Sequence, residues 1–174
     1  VLVWEDKSSY EGDWKDNVRW GKGTYSYPTG DKYSGDWVND IQDGRGTYYF
    51  HTGEKYEGDY LKGQRTGRGL FVLANGDKYE GDFKEGMQHG QGTFTWSNGA
   101  VYTGQWMNNQ RNGRGAYTWG TGDRYEGDWK NNIYNGQGVL ILKNGTKYKG
   151  GFVNGMEEGS GVQEDKDGSR FEGF

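Results

Sequence analysis

The chain has 174 residues, of which only 30% are apolar, and its formal net charge is −4. Such a low apolar content is typical of disordered segments, but 17% aromatic residues and 34 glycines beside a single proline are typical of repetitive β structure. The charge has the wrong sign for nucleic-acid binding, and Lys and Arg are interspersed with Asp and Glu, so no nucleic-acid partner is expected.

Aromatic residues recur every 23 positions, at Tyr10, Tyr33, Tyr56, Tyr79, Tyr102, Tyr125, Tyr148 and Phe171. Each opens an aromatic-x-Gly motif. A second aromatic follows two residues after the glycine, at Trp14, Trp37, Tyr60, Phe83, Trp106, Trp129 and Phe152. A Gly-x-Gly pair begins seven residues later, from Gly21 and Gly23 to Gly159 and Gly161. A fixed period of this length predicts a tandem array of one small structural unit.

The motif around Tyr33 predicts a strand with two different faces. Tyr33, Gly35 and Trp37 alternate with polar residues, so a strand places them on one side of the sheet. We call this side the aromatic face and the charged side the outer face. Residues 28–30 (Pro-Thr-Gly) predict a three-residue loop with a type I turn, which aligns Tyr25 with Tyr33.

The charges support this register independently. On the outer face it pairs a cation with an aspartate in four places: Lys22 with Asp36, Arg45 with Asp59, Arg68 with Asp82, and Arg114 with Asp128. Where the cation becomes Gln91, its partner becomes Gln105. Such pairs contribute about 0.2–1 kcal/mol each, so they specify the pairing more than they stabilise it.

Inside each repeat, a six-residue polar loop is expected to return the chain. Its third position is always Asn, Asp or Gly, the types that best tolerate a left-handed backbone. These residues are Asn17, Asp40, Gly63, Gly86, Asn109, Asn132 and Gly155. Loop geometry explains this composition better than ligand binding does.

The predicted pairings produce three rows on the aromatic face. They begin Tyr10-Tyr25-Tyr33, Gly12-Gly23-Gly35 and Trp14-Gly21-Trp37. Because the middle row has no side chains, the sheet can curl along it and bring the two aromatic rows together. The predicted fold is therefore all-β, with tandem β-hairpin repeats forming an elongated, curled single-layer antiparallel sheet, a β-solenoid-like trough.

The unit that begins at Tyr79 resembles a MORN repeat. Tyr79-Glu-Gly-Asp-Phe83, then Gly90-Gln-Gly92, then Asn98-Gly99 follow the family pattern closely, and seven copies keep one register. The chain is thus divided as one continuous array over residues 1–174, with partial repeats at both ends. The seven full repeats are 10–32, 33–55, 56–78, 79–101, 102–124, 125–147 and 148–170.

No catalytic, metal or cofactor site is expected. The chain has two histidines, His51 and His89, which lie in different repeats and different loop types. A structural role is favoured for both. The Gly-x-Gly pairs lack the residues of a phosphate loop. Without cysteines, disulfides and thiolate metal sites are excluded. No apolar run approaches the roughly 18 residues of a membrane span, and no signal-peptide pattern opens the chain, which predicts a cytoplasmic protein.

Two surfaces are candidates for a partner. On the aromatic face, Phe50, Leu73, Trp96, Trp106, Trp119 and Trp129 are expected to hold a peptide or helix of a partner protein in a groove. For the column Tyr27, Phe50, Leu73, Trp96, Trp119 and Leu142, a core role is favoured over a partner contact. The alternative is an uncharged patch on the outer face around Val101 and Thr103, which neutral drift explains equally well.

The function predicted from these features is a non-catalytic scaffold that binds proteins. The MORN resemblance implies a cytoskeletal, ciliary or membrane-associated assembly, and in some members self-association or phosphoinositide contact. A weak peripheral membrane contact is one expectation, although the negative charge disfavours it. Residues 1–4 align with a second strand, and this uncovered edge predicts a homo-oligomer. Two rivals stay open: an accessory segment of a larger enzyme, such as a lysine methyltransferase or lipid kinase, and a choline- or glycan-binding repeat.

Overall fold

The computed structural model describes residues 1–173, and these contain β-strands and turns but no helix. The strands, in chain order, are β1 (Leu2–Val3), β2 (Ser9–Lys15), β3 (Val18–Ser26), β4 (Lys32–Val38), β5 (Ile41–Tyr49), β6 (Lys55–Leu61), β7 (Gln64–Val72), β8 (Lys78–Lys84), β9 (Met87–Thr95), β10 (Val101–Met107), β11 (Gln110–Thr118), β12 (Arg124–Lys130), β13 (Ile133–Ile141), β14 (Lys147–Val153), β15 (Met156–Glu164) and β16 (Arg170–Gly173).

The strands form two compact units, one from Val1 to Met87 and one from Gln88 onward. Within each unit the strands lie side by side in chain order, and neighbouring strands are antiparallel. Each repeat contributes a seven-residue strand followed by a nine-residue strand. The predicted all-β fold, a single antiparallel layer of tandem hairpins, is confirmed.

The loops between repeats have the predicted three residues. Tyr25 lies opposite Tyr33, and the Tyr27 N–H donates to the Asp31 carbonyl at 2.9 Å. The Gly30 N–H donates back to the Tyr27 carbonyl at 3.0 Å, with Gly30 at φ 94°. This positive φ is the conformation that the last loop position requires, and glycine adopts it without steric cost.

The connection within each repeat is shorter than the predicted six-residue loop, so that prediction is wrong. Between β2 and β3 it is a two-residue turn in which Asp16 and Asn17 both have positive φ, 50° and 64°. Two left-handed residues define the type I′ turn, whose twist matches that of the flanking strands. The left-handed third position was predicted correctly.

In the first repeat, a bulge in the second strand accounts for the residues assigned to that loop. Gly12 pairs with Gly23, but Trp14 pairs with Arg19, so three residues of β3 lie opposite one residue of β2. The predicted pairing of Trp14 with Gly21 is therefore wrong. Gly21, at φ 77°, lies inside the bulge. One consequence is that Arg19 joins the aromatic face.

Aspartates of the first strands stabilise these bulges from the outer face. Asp36 Oδ2 accepts a hydrogen bond from the Arg45 N–H at 2.8 Å, while its Oδ1 lies 2.6 Å from Lys22 Nζ. The predicted ion pairs are confirmed: Lys22–Asp36, Arg45–Asp59, Arg68–Asp82 and Arg114–Asp128. The Asp36 carboxylate thus joins three consecutive strands.

The core is made of tyrosines folded over the glycine row. Tyr102 is fully buried, and its hydroxyl donates to the Gln105 carbonyl at 2.9 Å. Its ring packs edge-on against Trp106 and Trp129, with centroids 5.2 and 5.1 Å away. Burial raises the pKa of Tyr102 to about 12. These contacts confirm that the tyrosine and tryptophan rows meet over bare backbone, as the predicted curl requires.

Candidate partner-binding site

In each unit a row of residues borders the aromatic face, and we call these residues the rim: Tyr27, Phe50 and Leu73 in the first unit, and Trp96, Trp119 and Leu142 in the second. Each is the residue whose N–H closes a three-residue loop. All are half-buried except Leu142, which is 37% exposed. The rim therefore keeps apolar surface in solvent beside a packed core, which is the surface type that marks interaction sites.

Rim tryptophans of the second unit lie in a ladder of aromatic rings. The Trp96 ring centroid is 4.5 Å from that of Phe94 and 5.2 Å from that of Tyr117. Trp119 lies 4.8 Å from Tyr117 and 6.2 Å from Tyr134. Ring contacts of this kind fix the orientation of the indoles before any partner arrives, which reduces the entropy lost on binding.

Two of the predicted contact residues, Trp106 and Trp129, are in the core instead. Only 6% and 4% of their surfaces are exposed. Their indole N–H groups donate to the carbonyls of Gly92 and Gly115, both at 3.1 Å. Their rings thus have little surface left for a partner. By contrast, the indole N–H groups of Trp96 and Trp119 donate no hydrogen bond to any residue in the described part of the chain.

In the first unit, the rim positions Phe50 and Leu73 have smaller side chains. Phe50 packs against Tyr48, with centroids 4.5 Å apart, and against Phe71 at 6.1 Å. A cavity of about 300 Å³ opens on the same face beside Tyr27. Its lining includes Arg19, Tyr25, Tyr27, Trp37, Asp40 and Gln42.

The aromatic face also carries arginines that the sequence analysis missed. Arg111 stacks on four rings, with its Cζ 4.6 Å from the Trp129 centroid, 5.4 Å from Tyr117, 5.6 Å from Tyr102 and 5.7 Å from Trp96. The equivalent residues of other repeats include Arg19 and Arg65. Each of these arginines lies five residues after the second aromatic of its repeat. The predicted six-residue loop included that position, so it was not assigned to the sheet.

The outer-face alternative has a cavity of its own. Thr103 is exposed and its hydroxyl lies 3.0 Å from that of Thr93, while Val101 is half-buried. A shallow cavity of about 730 Å³ lies over the glycine row of the second unit and includes Thr103, Gln105 and Ala116 in its lining. Thr103 therefore lines the cavity, whereas Val101 does not.

Neither histidine belongs to a group of side chains within residues 1–173 that could hold a metal ion. His51 Nδ1 is 2.7 Å from Asp31 Oδ1, and its backbone N–H donates to the same oxygen at 2.8 Å. His89 Nδ1 is buried and has no hydrogen-bond partner among the described residues. Within residues 1–173, no group of three or more His, Cys, Asp or Glu side chains is placed to hold a metal ion. That same range has no helix with the length and apolar character of a membrane span.

The sequence model of the MORN repeat matches the chain over residues 10–32, 33–55, 56–78, 79–101, 102–124, 125–147 and 148–170. The chain belongs to the MORN repeat family. These seven matches have the same bounds as the 23-residue repeats described above. No curated protein gave a match to this MORN chain.

Several solved structures share the fold of this MORN chain. The TCP domain of Drosophila melanogaster SAS-4 (dCPAP), in complex with a proline-rich motif of Ana2 (dSTIL), has a TM-score of 0.56 at 11% identity; the match covers 87% of this chain and 83% of that one. The TCP10 domain of Danio rerio CPAP has a TM-score of 0.56 at 14% identity, covering 98% and 81%. The G-box domain of the microcephaly protein CPAP has 0.54 at 14%, covering 99% and 96%. At these identities the likeness shows the fold alone.

Proposed function

We propose that this MORN array is a scaffold that holds an extended, proline-containing segment of a partner protein along the rim of its second unit. The observation that carries the proposal is the pair Trp96 and Trp119. Both indoles are half-buried, fixed by neighbouring rings and equipped with an N–H that has no acceptor in the described chain. Tryptophans in this state are the residue type that most often dominates binding energy at interfaces.

An extended segment suits this surface better than a helix does. A polyproline II segment forms no hydrogen bonds within itself, so its carbonyls are free to accept from the rim indoles. Its rigid backbone loses little entropy on binding, and its proline rings pack on aromatic side chains. The proline-rich motif bound to the SAS-4 domain of the same fold supports this choice of ligand.

The cellular setting is proposed as a cytoskeletal assembly. The G-box structure was described as suggesting a role in centriole elongation, and that domain has the fold of this chain.

A selection of random displayed peptides on the full chain tests the proposal. We expect it to recover proline-containing peptides whose affinity falls by about 2 kcal/mol or more for Trp96→Ala and again for Trp119→Ala. Circular dichroism of the variants should remain that of the parent, because the two side chains lie at the border of the core. Recovery of no peptide that depends on these tryptophans would refute the rim as the site.

The outer-face cavity supplies the second candidate. Its volume of about 730 Å³ favours a partner contact there, and the uncharged side chains of Thr103 and Gln105 line it together with Arg114, Glu126 and Lys149. Thr103→Glu and Val101→Lys distinguish the two, since they should leave binding of the recovered peptides unchanged if the rim is the site. Loss of binding in these variants, with retention in the tryptophan variants, would place the interface on the outer face.

A further inference from the structure

Arg19 and Arg111 occupy the same position of their repeats, but of the two only Arg19 has a carboxylate partner within residues 1–173. Each guanidinium stacks on the aromatic face, with Cζ 4.4 Å from the Trp37 centroid for Arg19 and 4.6 Å from the Trp129 centroid for Arg111. Each also donates from NH2 to the backbone carbonyl of a turn residue 21 positions later, Asp40 at 3.0 Å or Asn132 at 2.7 Å. The surroundings are thus closely matched.

The difference is the side chain of that turn residue. Asp40 Oδ1 accepts a hydrogen bond from Arg19 Nε at 2.9 Å and so neutralises the cation. At Arg111 the equivalent residue is Asn132, whose Oδ1 accepts only the Arg111 backbone N–H, at 2.9 Å. No carboxylate within residues 1–173 forms an ion pair with Arg111.

A half-buried cation without a counter-ion is costly, because desolvation penalises the charged form. Burial lowers the pKa of the Arg111 guanidinium, while the phenols of Tyr117 and Tyr102 act in the opposite direction. Arginine nevertheless stays charged in proteins. Cation–π contacts offset part of the cost, but most of the five N–H donors of the guanidinium have no acceptor among residues 1–173.

We infer that Arg111 is a carboxylate-binding position, and that the partner segment carries an Asp or Glu side chain that meets it beside Trp96. The chain builds the internal version of this contact at Arg19 and omits it at Arg111, where the guanidinium lies 5.7 Å from the rim indole of Trp96. A planar guanidinium binds a carboxylate through two parallel hydrogen bonds, and this contact fixes the register of a segment that apolar packing alone leaves free to slide.

This inference rests on the proposed rim function, and it adds a charge requirement for the partner. Within the second unit, a single monovalent anion matches Arg111; the equivalent Arg65, which also has no ion pair among residues 1–173, lies in the first unit. The residues at the same repeat position on either side of Arg111 are Gln88 and Tyr134, which supply no second cation for a more highly charged group.

Asn132→Asp is the decisive variant, since it supplies the missing carboxylate while keeping the arginine and its stacking. Aspartate is tolerated in this left-handed turn position, as Asp40 at φ 64° shows, and its oxygen still accepts the Arg111 N–H. The matched control is Asn109→Asp, which places the same charge in the equivalent turn beside Gln88, where Asn109 Oδ1 accepts the Gln88 N–H at 2.8 Å.

The probes are synthetic peptides recovered from the displayed library, each made with its acidic residue and with Glu→Gln or Asp→Asn. We expect recovered peptides to share an acidic residue at a fixed distance from their prolines. Neutralising that residue should weaken binding to the parent chain by about tenfold or more, as expected for a charge-assisted contact. Asn132→Asp should weaken the acidic peptide by a similar factor and the neutral peptide by less than about twofold. Asn109→Asp should change neither by more than about twofold.

The outcomes distinguish the carboxylate-binding position at Arg111 from the rim function. Peptides that depend on Trp96 and Trp119 but have no acidic preference, or that bind equally to Asn132→Asp, would overturn the carboxylate position and leave the rim function standing. Peptides with no dependence on these tryptophans would overturn the rim function, and the Arg111 inference with it. Arg111→Gln provides a second test, because it should abolish the difference in affinity between the acidic and neutral peptides whatever its effect on stability.

Discussion

On the aromatic face Tyr102 is fully buried, whereas on the outer face of the neighbouring strand Arg114 has 79% of its side chain exposed. The Tyr102 hydroxyl donates to the backbone carbonyl of Gln105 beneath neighbouring aromatic rings. The Arg114 guanidinium lies 3.3 Å from the Asp128 carboxylate at the solvent-exposed surface. Stability therefore comes mainly from the aromatic face, because buried area contributes more than screened ion pairs. The outer face chiefly fixes which residues lie opposite each other.

The largest expected effect is at the glycine row. A Cβ added at Gly69 lies 2.6 Å from both Cε2 and the hydroxyl oxygen of Tyr56, which cannot move away from the sheet without losing its own packing. Gly69→Ala should lower the free energy of unfolding by about 3 kcal/mol or more, the upper range for overpacking. Urea unfolding measures this. Gly173→Ala is the control, because its added Cβ meets no atom within 4 Å among the described residues beyond its neighbour in the chain. Equal losses in the two variants would contradict the packing of the tyrosine rings over the glycine row.

A smaller effect is expected at the aspartates that stabilise the bulges, which belong to the outer face but bond to backbone. Asp36→Ala should cost about 1–2 kcal/mol, since the Arg45 N–H then loses its acceptor. Asp36→Asn should cost less than about 1 kcal/mol, because Gln105 shows that an amide oxygen can accept the equivalent N–H, from Arg114 at 2.7 Å. If the two variants unfold at the same urea concentration, the bond to the bulge contributes nothing.

Acid should weaken one loop of the first unit selectively. Hydrogen bonds from the backbone N–H and ring of His51 and from the Tyr48 hydroxyl lower the pKa of Asp31 to about 2. A pKa lowered in the folded state contributes stability above about pH 4 that is lost as the pH falls toward 2. The parent should therefore lose more unfolding free energy than Asp31→Asn does between pH 5 and pH 2. Identical pH profiles would contradict the assigned bonds.

The smallest effect is expected for a purely electrostatic change on the outer face. Arg68 is 69% exposed in its side chain, and its NH1 lies 3.4 Å from Asp82 Oδ1. Arg68→Gln should change the free energy of unfolding by less than about 1 kcal/mol. The change should shrink further in high salt, because salt screens exposed charges. A loss several times larger, insensitive to salt, would mean that the outer face is buried.

The sequence predicted those features that follow from local spacing. The 23-residue period and the alternation around Tyr33 predicted strands and faces, and residues 28–30 predicted the loop, because each depends on a few neighbouring residues. The bulge at Gly21 was missed, since a glycine inside a bulge and one inside a strand give the same sequence pattern.

The candidate site was only partly predictable for a related reason. Trp96 and Trp129 are both tryptophans at repeat positions, and only the packing of adjacent strands shows that one is half-buried while the other is 4% exposed. The setting of Arg111 depends on the bulge that brings it onto the aromatic face. It depends also on Asn132, which is 21 residues away. Such properties arise from contacts between repeats rather than from the pattern within one.

The central claim, that the aromatic face divides into a closed core and an open rim, is tested most directly by hydrogen exchange at the tryptophan indoles. The indole N–H groups of Trp37 and Trp129, which donate to Gly23 and Gly115 at 3.0 and 3.1 Å, should exchange slowly and keep their NMR shifts when a recovered peptide is added. Those of Trp96 and Trp119 should exchange rapidly in the free chain and shift in the complex. Protected rim indoles in the free chain, or shifts confined to the outer face around Thr103, would contradict the account.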